Sequence, residues 1–203
     1  MADIILSVLI PSVPGRLEKL DRLFTHIQGQ IDALKEPWAK QVEVLSFLDN
    51  KKRSIGFKRQ ALVEAARGKW LAFCDDDDSV ANCYLASICP VLLAEDPDVL
   101  VFKQECVING EKPFIVDHDI AYENEHCVRH EDGRWENLKR KPWHHNVWRT
   151  SLALTAKFPD SMWGEDHVWC EQLWPKVVKQ SKIDQVLHFY AHDIHLTESK
   201  AQE

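Results

Sequence analysis

The stretch Trp70-Leu-Ala-Phe-Cys-Asp-Asp-Asp-Asp78 joins a short apolar run to four consecutive carboxylates. The apolar run predicts a buried strand. The carboxylates follow at its carboxyl end, which is where ligands bind in open α/β sheets. Like charges packed this closely raise each other's pKa, and a divalent cation relieves the repulsion because hard cations prefer carboxylate oxygens. The alternative is an acidic loop in water, at the start of a helix capped by Ser79.

Alternating apolar patterns surround this stretch. Nearly continuous or alternating apolar runs predict strands over 4–10, 42–48, 70–74, 98–102 and 185–190. Helical spacing predicts helices over 16–35, 57–66, 80–95 (interrupted by Pro90) and 164–179. Strand and helix alternate through the first three strands, which is typical of a parallel sheet with crossover helices. We therefore expect the strand ends near Ser12, Asp49 and Asp75 to gather at one edge of the sheet.

Composition narrows the class of protein. A chain of 203 residues with 45% apolar content suits one globular domain. It has no apolar run near the ~20 residues of a membrane span. Six scattered cysteines without a C-x-x-C pair indicate reduced thiols, and we expect a cytoplasmic protein. The net charge of −7 argues against general nucleic-acid binding.

An ordered set of motifs resembles the family 2 glycosyltransferases. The set comprises Ser-Val-Leu-Ile-Pro-Ser at 7–12, Asp49-Asn50, Lys-Arg-Gln-Ala at 58–61, the segment 66–73, the D-x-D-D pattern at 75–78, Arg149, Phe158-Pro159 and Gly-Glu-Asp at 164–166. The likeness runs in order over about residues 4–195. It implies the α/β class and the GT-A fold, with a mainly parallel central sheet flanked by helices. It also implies one domain over 1–203, with a nucleotide-sugar-binding half at 1–104, an acceptor-binding half at 105–197 and a frayed tail at 198–203.

The resemblance also implies a donor site and a metal. The donor would be a nucleotide-diphospho-sugar, with UDP expected, held by residues that line its base, ribose and diphosphate: Pro11, Ser12, Asp49, Arg59, Asp75 and Asp76. A Mn²⁺ or Mg²⁺ ion would neutralise the leaving diphosphate. Asp75 and Asp77 would bind this ion. A late imidazole is a further candidate ligand, and among His188, His192 and His195 we assign His192 and His195.

The acceptor side follows from the same resemblance. Asp166 would remove the proton from the acceptor hydroxyl as it attacks the anomeric carbon with inversion, and Glu165 would help to place the acceptor. Aromatic faces suit sugars and bases. We therefore expect four residues to contact the acceptor: Trp143, His144, His145 and Trp163. A saccharide is the expected acceptor, and the basic, aromatic segment 139–149 leaves a hydroxylated base in DNA as the alternative.

Two other functions remain open from the sequence. A haloacid-dehalogenase-like phosphohydrolase would use Asp75 as a covalent nucleophile, since residues 73–79 fit the strand motif D-x-D-x-S locally. A non-catalytic module would keep the fold and bind a nucleotide sugar without turnover.

Overall fold

The computed structural model of the chain describes residues 3–125 and 128–192, in which helices flank a curled central sheet. The strands are β1 (Leu6–Ser12), β2 (Val42–Leu48), β3 (Trp70–Phe73), β4 (Ser79–Val80), β5 (Val99–Ile108), β6 (Phe114–His118), β7 (Leu138–Arg140), β8 (Val147–Arg149) and β9 (Gln180–His192). The α-helices are α1 (Leu17–Ala33), α2 (Ile55–Ala65), α3 (Tyr84–Glu95), α4 (Thr150–Ala153) and α5 (Glu165–Leu173).

The sheet brings three strand ends to one edge, as the sequence predicts. The strands run in the order β2-β1-β3-β8-β5-β6-β7, and β9 pairs with both β5 and β4. β1 is parallel to β2 and to β3, with Ser12 opposite Leu48 and Leu9 opposite Phe73. The chain segments that follow these three strands therefore emerge side by side. β8 enters antiparallel between β3 and β5 and links the two halves of the sheet.

The sheet is buried on both faces, because successive side chains of a strand point to opposite sides. Val8 and Ile10 of β1 join a core with α1 and α3, which includes Leu23 and Ile27. Leu9 lies in a second core with α2 and α5. The first three strands are therefore anchored from both sides, which gives the edge that carries the carboxylates a rigid base.

Several expected elements have different bounds in the structure: β5 and β9 are longer than expected, and two helices are shorter. The helix expected over 80–95 begins only at Tyr84, because Ser79 and Val80 form β4 against β9. Ser79 is thus a strand residue and caps no helix. The helix expected to reach residue 179 ends at Leu173, where residues 174–176 form a 3₁₀ turn around Pro175. Proline lacks the backbone N–H that a continuing α-helix needs.

α2 is tied to the segment that leads into α5. A Cβ on Gly56 would lie 1.8 Å from the carbonyl oxygen of Pro159, so only glycine allows this approach. The Gly56 amide donates to the Ser161 carbonyl at 3.1 Å, and the Phe158 amide donates to Gln60 Oε1 at 3.0 Å. The start of α2 is thereby held against the loop that precedes α5.

Over the described residues, no helix is both long and apolar enough to cross a bilayer. None of the cysteines within these described residues forms a disulfide bond.

Candidate active site

The four carboxylates of residues 75–78 face different partners. Asp76 is 2% exposed and accepts hydrogen bonds from Ser12 Oγ at 2.6 Å and Arg16 Nη1 at 2.9 Å. The same Arg16 nitrogen lies 2.8 Å from Asp77 Oδ2. Burial raises the pKa of Asp77 to about 6 against the opposing charge of Arg16, and its acidic neighbours add to the rise. The expected repulsion within the cluster is therefore present, and Arg16 offsets part of it.

Asp75 and Asp78 each keep one oxygen without a partner. Arg59 Nη2 donates to Asp75 Oδ2 at 2.7 Å, and His188 Nε2 lies 3.3 Å from Asp78 Oδ2. The Oδ1 atoms of both aspartates are buried and accept no hydrogen bond. A buried polar atom without a partner is uncommon in folded proteins and indicates a place for an ion, a water or a ligand.

Arg59 joins the acidic loop to the start of α5. Its Nε lies 3.2 Å from Glu165 Oε1, while Nη2 holds Asp75. Its third nitrogen, Nη1, is buried without an acceptor. Burial raises the pKa of Glu165 although Arg59 opposes the rise, whereas at Asp75 burial is outweighed by Arg59 and His144 together, and the pKa is lowered. Arg59 therefore bridges two carboxylates and keeps one donor for a ligand.

Asp166 stands at the start of α5, which Gly164 opens with a φ of +69° that favours glycine. Its Oδ2 accepts from Trp143 Nε1 at 2.9 Å and lies 3.3 Å from His144 Nδ1. Its Oδ1 accepts from the His167 amide at 2.8 Å. Burial opposes ionisation, but the contact with His144 and the charge of Arg59 hold the pKa of Asp166 well below its ordinary value. Asp166 is thus a fixed, ionised carboxylate.

These groups surround one cavity of about 320 Å³. Asp75, Asp78 and Arg59 line its acidic-loop side, and His144 and Asp166 line the side formed by α5 and the turn before β8. The volume lies within the range of small-molecule sites. A second cavity of about 430 Å³ lies against α1, where Asp76, Asp77 and Asp78 face Lys19 and Arg22.

Asp49, the expected base contact, is engaged on both oxygens. Lys58 Nζ lies 2.5 Å from Asp49 Oδ1 and also donates to the Ser12 carbonyl at 3.0 Å. The amides of residues 51–53 donate to the two carboxylate oxygens at 2.9–3.2 Å. These contacts lower the pKa of Asp49 against the effect of burial. Pro11 and Ser12 are buried in β1 beside this corner. A role of Asp49 and Pro11 in binding the base stays a prediction.

The expected acceptor residues fall into two groups. Trp143, His144 and His145 line the 320 Å³ cavity. His145 is buried at 2% exposure, and its ring stacks on His188 with centroids 4.7 Å apart. Trp163 is 63% exposed and lies outside the lining of this cavity. Trp143 uses its indole N–H on Asp166, so part of its role is to hold that carboxylate.

The late histidines are separated. His188 lies beside Asp78, whereas His192 Nδ1 and the Tyr190 hydroxyl are 3.2 Å apart at the end of β9. His192 is outside the lining of the cavity. His195, with the tail 198–203, lies outside the described residues. Of the late histidines that the structure describes, His188 is the one beside a carboxylate of the acidic loop, where we expected His192 as a metal ligand.

The donor set fits a divalent ion that is shared with a substrate. Within 3–125 and 128–192, no three His, Cys, Asp or Glu side chains are gathered so that they could hold a metal ion by themselves. The unpartnered Oδ1 atoms of Asp75 and Asp78 are nevertheless hard oxygen ligands. Mg²⁺ is commonly bound by one or two carboxylates together with substrate phosphates. This chemistry suits Asp75 and Asp78 better than Asp77, which is paired with Arg16.

The sequence reasoning quoted Asp78 in the acidic cluster without a role of its own, and it gave no role to two cations of the site, Arg16 and Lys58. Arg16 and Asp76 are 60 positions apart, and Lys58 and Ser12 are 46 apart. A buried lysine or arginine next to a predicted carboxylate edge is the one sequence signal that could have pointed to them, because such cations are almost always paired.

Comparisons with known proteins agree on the architecture. No family model matches the chain, and no curated protein matches it. Among solved structures, residues 1–349 of S. aureus TarS in complex with UDP-GlcNAc match with a TM-score of 0.65 and 16% identity, over 93% of this chain and 58% of that one. The same fragment in complex with UDP matches with a TM-score of 0.64 and 17% identity, over 93% of this chain and 60% of that one. The S. aureus TarS structure matches with a TM-score of 0.63 and 16% identity, over 93% of this chain and 37% of that one.

These matches establish the class of fold. The chain has a GT-A-like glycosyltransferase fold, with a curled, mostly parallel sheet flanked by helices. The predicted fold class is confirmed. TarS is one of the solved structures to which the chain is similar, and the chain spans about three fifths of its 1–349 fragment.

Proposed function

We propose that this protein is a glycosyltransferase that moves a sugar from a nucleotide-diphospho-sugar, with a UDP-sugar as donor, to an acceptor hydroxyl with inversion. The observation that carries the proposal is a cavity with unpartnered polar atoms on one side and an ionised carboxylate on the other. The GT-A-like fold supports it, and so do the UDP and UDP-GlcNAc complexes of TarS.

The donor side follows from the unpartnered atoms. A sugar diphosphate offers anionic oxygens and hydroxyl donors. Arg59 Nη1 is a buried donor that suits a phosphate oxygen, and Asp75 Oδ1 and Asp78 Oδ1 are acceptors that suit hydroxyls or a cation. A bound Mg²⁺ or Mn²⁺ would be held by Asp75 and Asp78 and would supply Lewis-acid stabilisation of the diphosphate. Glu165 keeps Arg59 in place from the far side.

The acceptor side follows from Asp166. The carboxylate is ionised and fixed by three contacts, so it can orient an attack on the anomeric carbon from the side opposite the acidic loop. As the new C–O bond forms, the bond to the diphosphate breaks and its electron pair leaves with the nucleotide. The proton of the acceptor hydroxyl passes to the Asp166 end of the cavity. Groups on opposite sides of the reacting carbon produce inversion.

The donor class is tested by thermal denaturation. Binding to the native state raises its melting temperature, so UDP, GDP, CDP and TDP are compared with and without MnCl₂. We expect UDP to give the largest shift and Mn²⁺ to increase it. In Asp78→Asn the increase with Mn²⁺ disappears, whereas in the control Asp184→Asn, which changes an exposed side chain, it stays. If Asp77→Asn instead abolishes the increase with Mn²⁺ and Asp78→Asn keeps it, the metal is held by Asp77, as the sequence predicts.

Turnover is tested with UDP-GlcNAc as the probe and UDP release as the readout. Binding without release indicates a non-catalytic module, and phosphate release from a phosphomonoester without nucleotide indicates a phosphohydrolase that uses Asp75. For the acceptor, a panel of saccharides is compared with DNA bearing hydroxylated bases. The proposal predicts transfer to a saccharide, and transfer only to the DNA would select the alternative acceptor.

A further inference from the structure

The oxygens of Asp166 are heavily used by the protein itself. Trp143 Nε1 donates to Oδ2 at 2.9 Å and the His167 amide donates to Oδ1 at 2.8 Å, while His144 Nδ1 lies 3.3 Å from Oδ2 without a hydrogen bond in this structure. An ionised carboxylate has about four lone-pair positions, so two are taken by these hydrogen bonds and a third faces the His144 ring. The same contacts hold the pKa of Asp166 well below its ordinary value, against the effect of burial. Such a carboxylate orients neighbouring groups better than it accepts protons.

His144 is the neighbour that this carboxylate orients. Its Nδ1 lies 3.3 Å from Asp166 Oδ2, and its ring is only 12% exposed and lines the same cavity. Because an ionised carboxylate only accepts hydrogen bonds, it favours the neutral ring that carries its hydrogen on Nδ1. That tautomer leaves the lone pair on Nε2. The two atoms form no hydrogen bond in this structure, and such catalytic pairs often tighten only in the complex with the substrate.

We propose that His144, through Nε2, accepts the proton of the acceptor hydroxyl, and that Asp166 is the positioning residue that fixes its ring. This inference rests on the proposed function and refines the role of Asp166 in it. The arrangement has the logic of a carboxylate–imidazole pair in which the carboxylate sets the tautomer and stabilises the imidazolium.

The surroundings of His144 favour the charge that this step creates. Asp75, Asp78 and Asp166 line the cavity with it, so an imidazolium at His144 would face three carboxylates. The opposing cations of the cavity are Arg59, from α2, which is already paired with Asp75 and Glu165, and Arg140, from β7. The ring also meets the edge of Phe73, with centroids 6.2 Å apart, which restricts its orientation.

The step balances without a further reactant. The acceptor oxygen uses a lone pair to form the bond to the anomeric carbon, and its O–H bond breaks. The proton goes to Nε2 of His144, which becomes an imidazolium next to the Asp166 carboxylate. The bond between the anomeric carbon and the diphosphate breaks, and the electron pair leaves with the nucleotide. The imidazolium then returns its proton to water.

The first test needs no donor. Long-range ¹H–¹⁵N spectra of the ¹⁵N-histidine-labelled full chain, at mildly alkaline pH, report which ring nitrogen carries the hydrogen, and His144→Gln assigns the signal by its loss. We expect His144 to carry its hydrogen on Nδ1, and Asp166→Asn to shift the hydrogen to Nε2. A wild-type ring with its hydrogen on Nε2 overturns the inference, whatever the donor is.

The second test is turnover, with UDP-GlcNAc as donor, water as acceptor and UDP release as the readout. His144→Gln is expected to lower kcat by about 100- to 10,000-fold with little change in the donor KM. Added imidazole is expected to restore part of the rate in His144→Ala, whereas His130→Gln, which changes an exposed ring, keeps the wild-type rate. Unchanged kcat in a folded His144→Gln overturns the inference. Loss of the UDP thermal shift in the wild type would instead overturn the proposed function itself.

Discussion

Asp49 follows β2, and Asp75 and Asp78 follow β3, so these carboxylates lie at the ends of two strands that are both parallel to β1. They differ in how their oxygens are used. Both Asp49 oxygens are occupied by Lys58 and by backbone amides. Asp75 and Asp78 each keep a buried oxygen without a partner. Carboxylates of equal charge can thus have opposite uses: a fully paired one holds the backbone, and a partly paired one is available to a ligand.

The largest effect is expected from Lys58→Met, which removes the partner of Asp49. A hydrogen bond to a charged group contributes about 1.5–3 kcal/mol. Lys58 is buried and also binds the Ser12 carbonyl, whereas Asp49 is partly exposed and keeps its backbone amides, so we expect a loss of this size in the free energy of unfolding in urea. The exposed pair of Lys40 and Glu36 supplies the control Lys40→Met, with a change within about 0.5 kcal/mol. A Lys58→Met protein as stable as that control would show that the Asp49 corner does not depend on its cation.

Asp78→Asn tests a carboxylate that keeps a buried oxygen without a hydrogen-bond partner. Burial raises the pKa of Asp78, so the ionised form is disfavoured in the folded state and its loss costs little stability. We expect the free energy of unfolding to stay the same or rise, while UDP release from UDP-GlcNAc falls by about 100- to 1,000-fold, as for the loss of one preorganised electrostatic contact. If stability fell sharply with activity unchanged, Asp78 would belong with Asp49 as an architectural carboxylate.

His118 is an imidazole that lines the same cavity as Asp75 and Asp78. It is buried, its Nδ1 has no partner, and burial lowers its pKa to about 3. The folded pKa lies below the unfolded value of about 6.5, so the unfolded chain binds the extra proton first. Stability is therefore lost as the pH falls from about 6.5 towards 3, with a slope of roughly 1 kcal/mol per pH unit. His118→Leu should flatten this slope in urea titrations from neutral to acidic pH, and His130→Leu should leave it. An unchanged slope in His118→Leu would contradict a neutral buried ring.

The smallest effect is expected from Trp143→Phe. The change removes the hydrogen bond from Nε1 to Asp166 Oδ2 and keeps an aromatic ring against Trp174. A hydrogen bond to a charged group contributes about 1.5–3 kcal/mol, part of which water replaces, so we expect a kcat about tenfold lower for donor hydrolysis. The donor KM should stay the same. If Trp143 served only as a platform for a saccharide, hydrolysis with water as the acceptor would be unaffected.

Local patterns were sufficient to predict much of the first half of the fold. β1 and β3 are short apolar runs buried on both faces, whereas the edge strand β2 is buried only at Val42 and Glu43. Ser54 caps α2, with its Oγ accepting from the Phe57 amide. β4 could not be predicted, because two residues are too few to show a periodic pattern and their strand partner lies in β9, more than a hundred positions later. The start of β9 at Gln180 was missed for the same reason, since its first residues pair with β5 and show no apolar alternation.

The candidate site shows the same division. The carboxylates and Asp166 were found because acidic residues at strand ends and helix starts have direct chemical signals. The contacts that their partners Arg16, Lys58 and His188 make were not predicted, because they form only when segments distant in the chain meet. The sequence predicts the metal on Asp75 and Asp77, and nothing in it indicates that Arg16 pairs with Asp77.

The contact at Gly56 has a mechanical consequence. Its lack of a side chain lets the start of α2 pack against Pro159, and a backbone hydrogen bond from Gly56 to Ser161 joins the two segments. α2 carries Arg59, and the loop bound to α2 leads directly to Asp166, so we expect these two sides of the cavity to move together. Residues of β6 and β7 line the cavity as well, and a wider cleft for a bulky acceptor would therefore require a displacement of these strands.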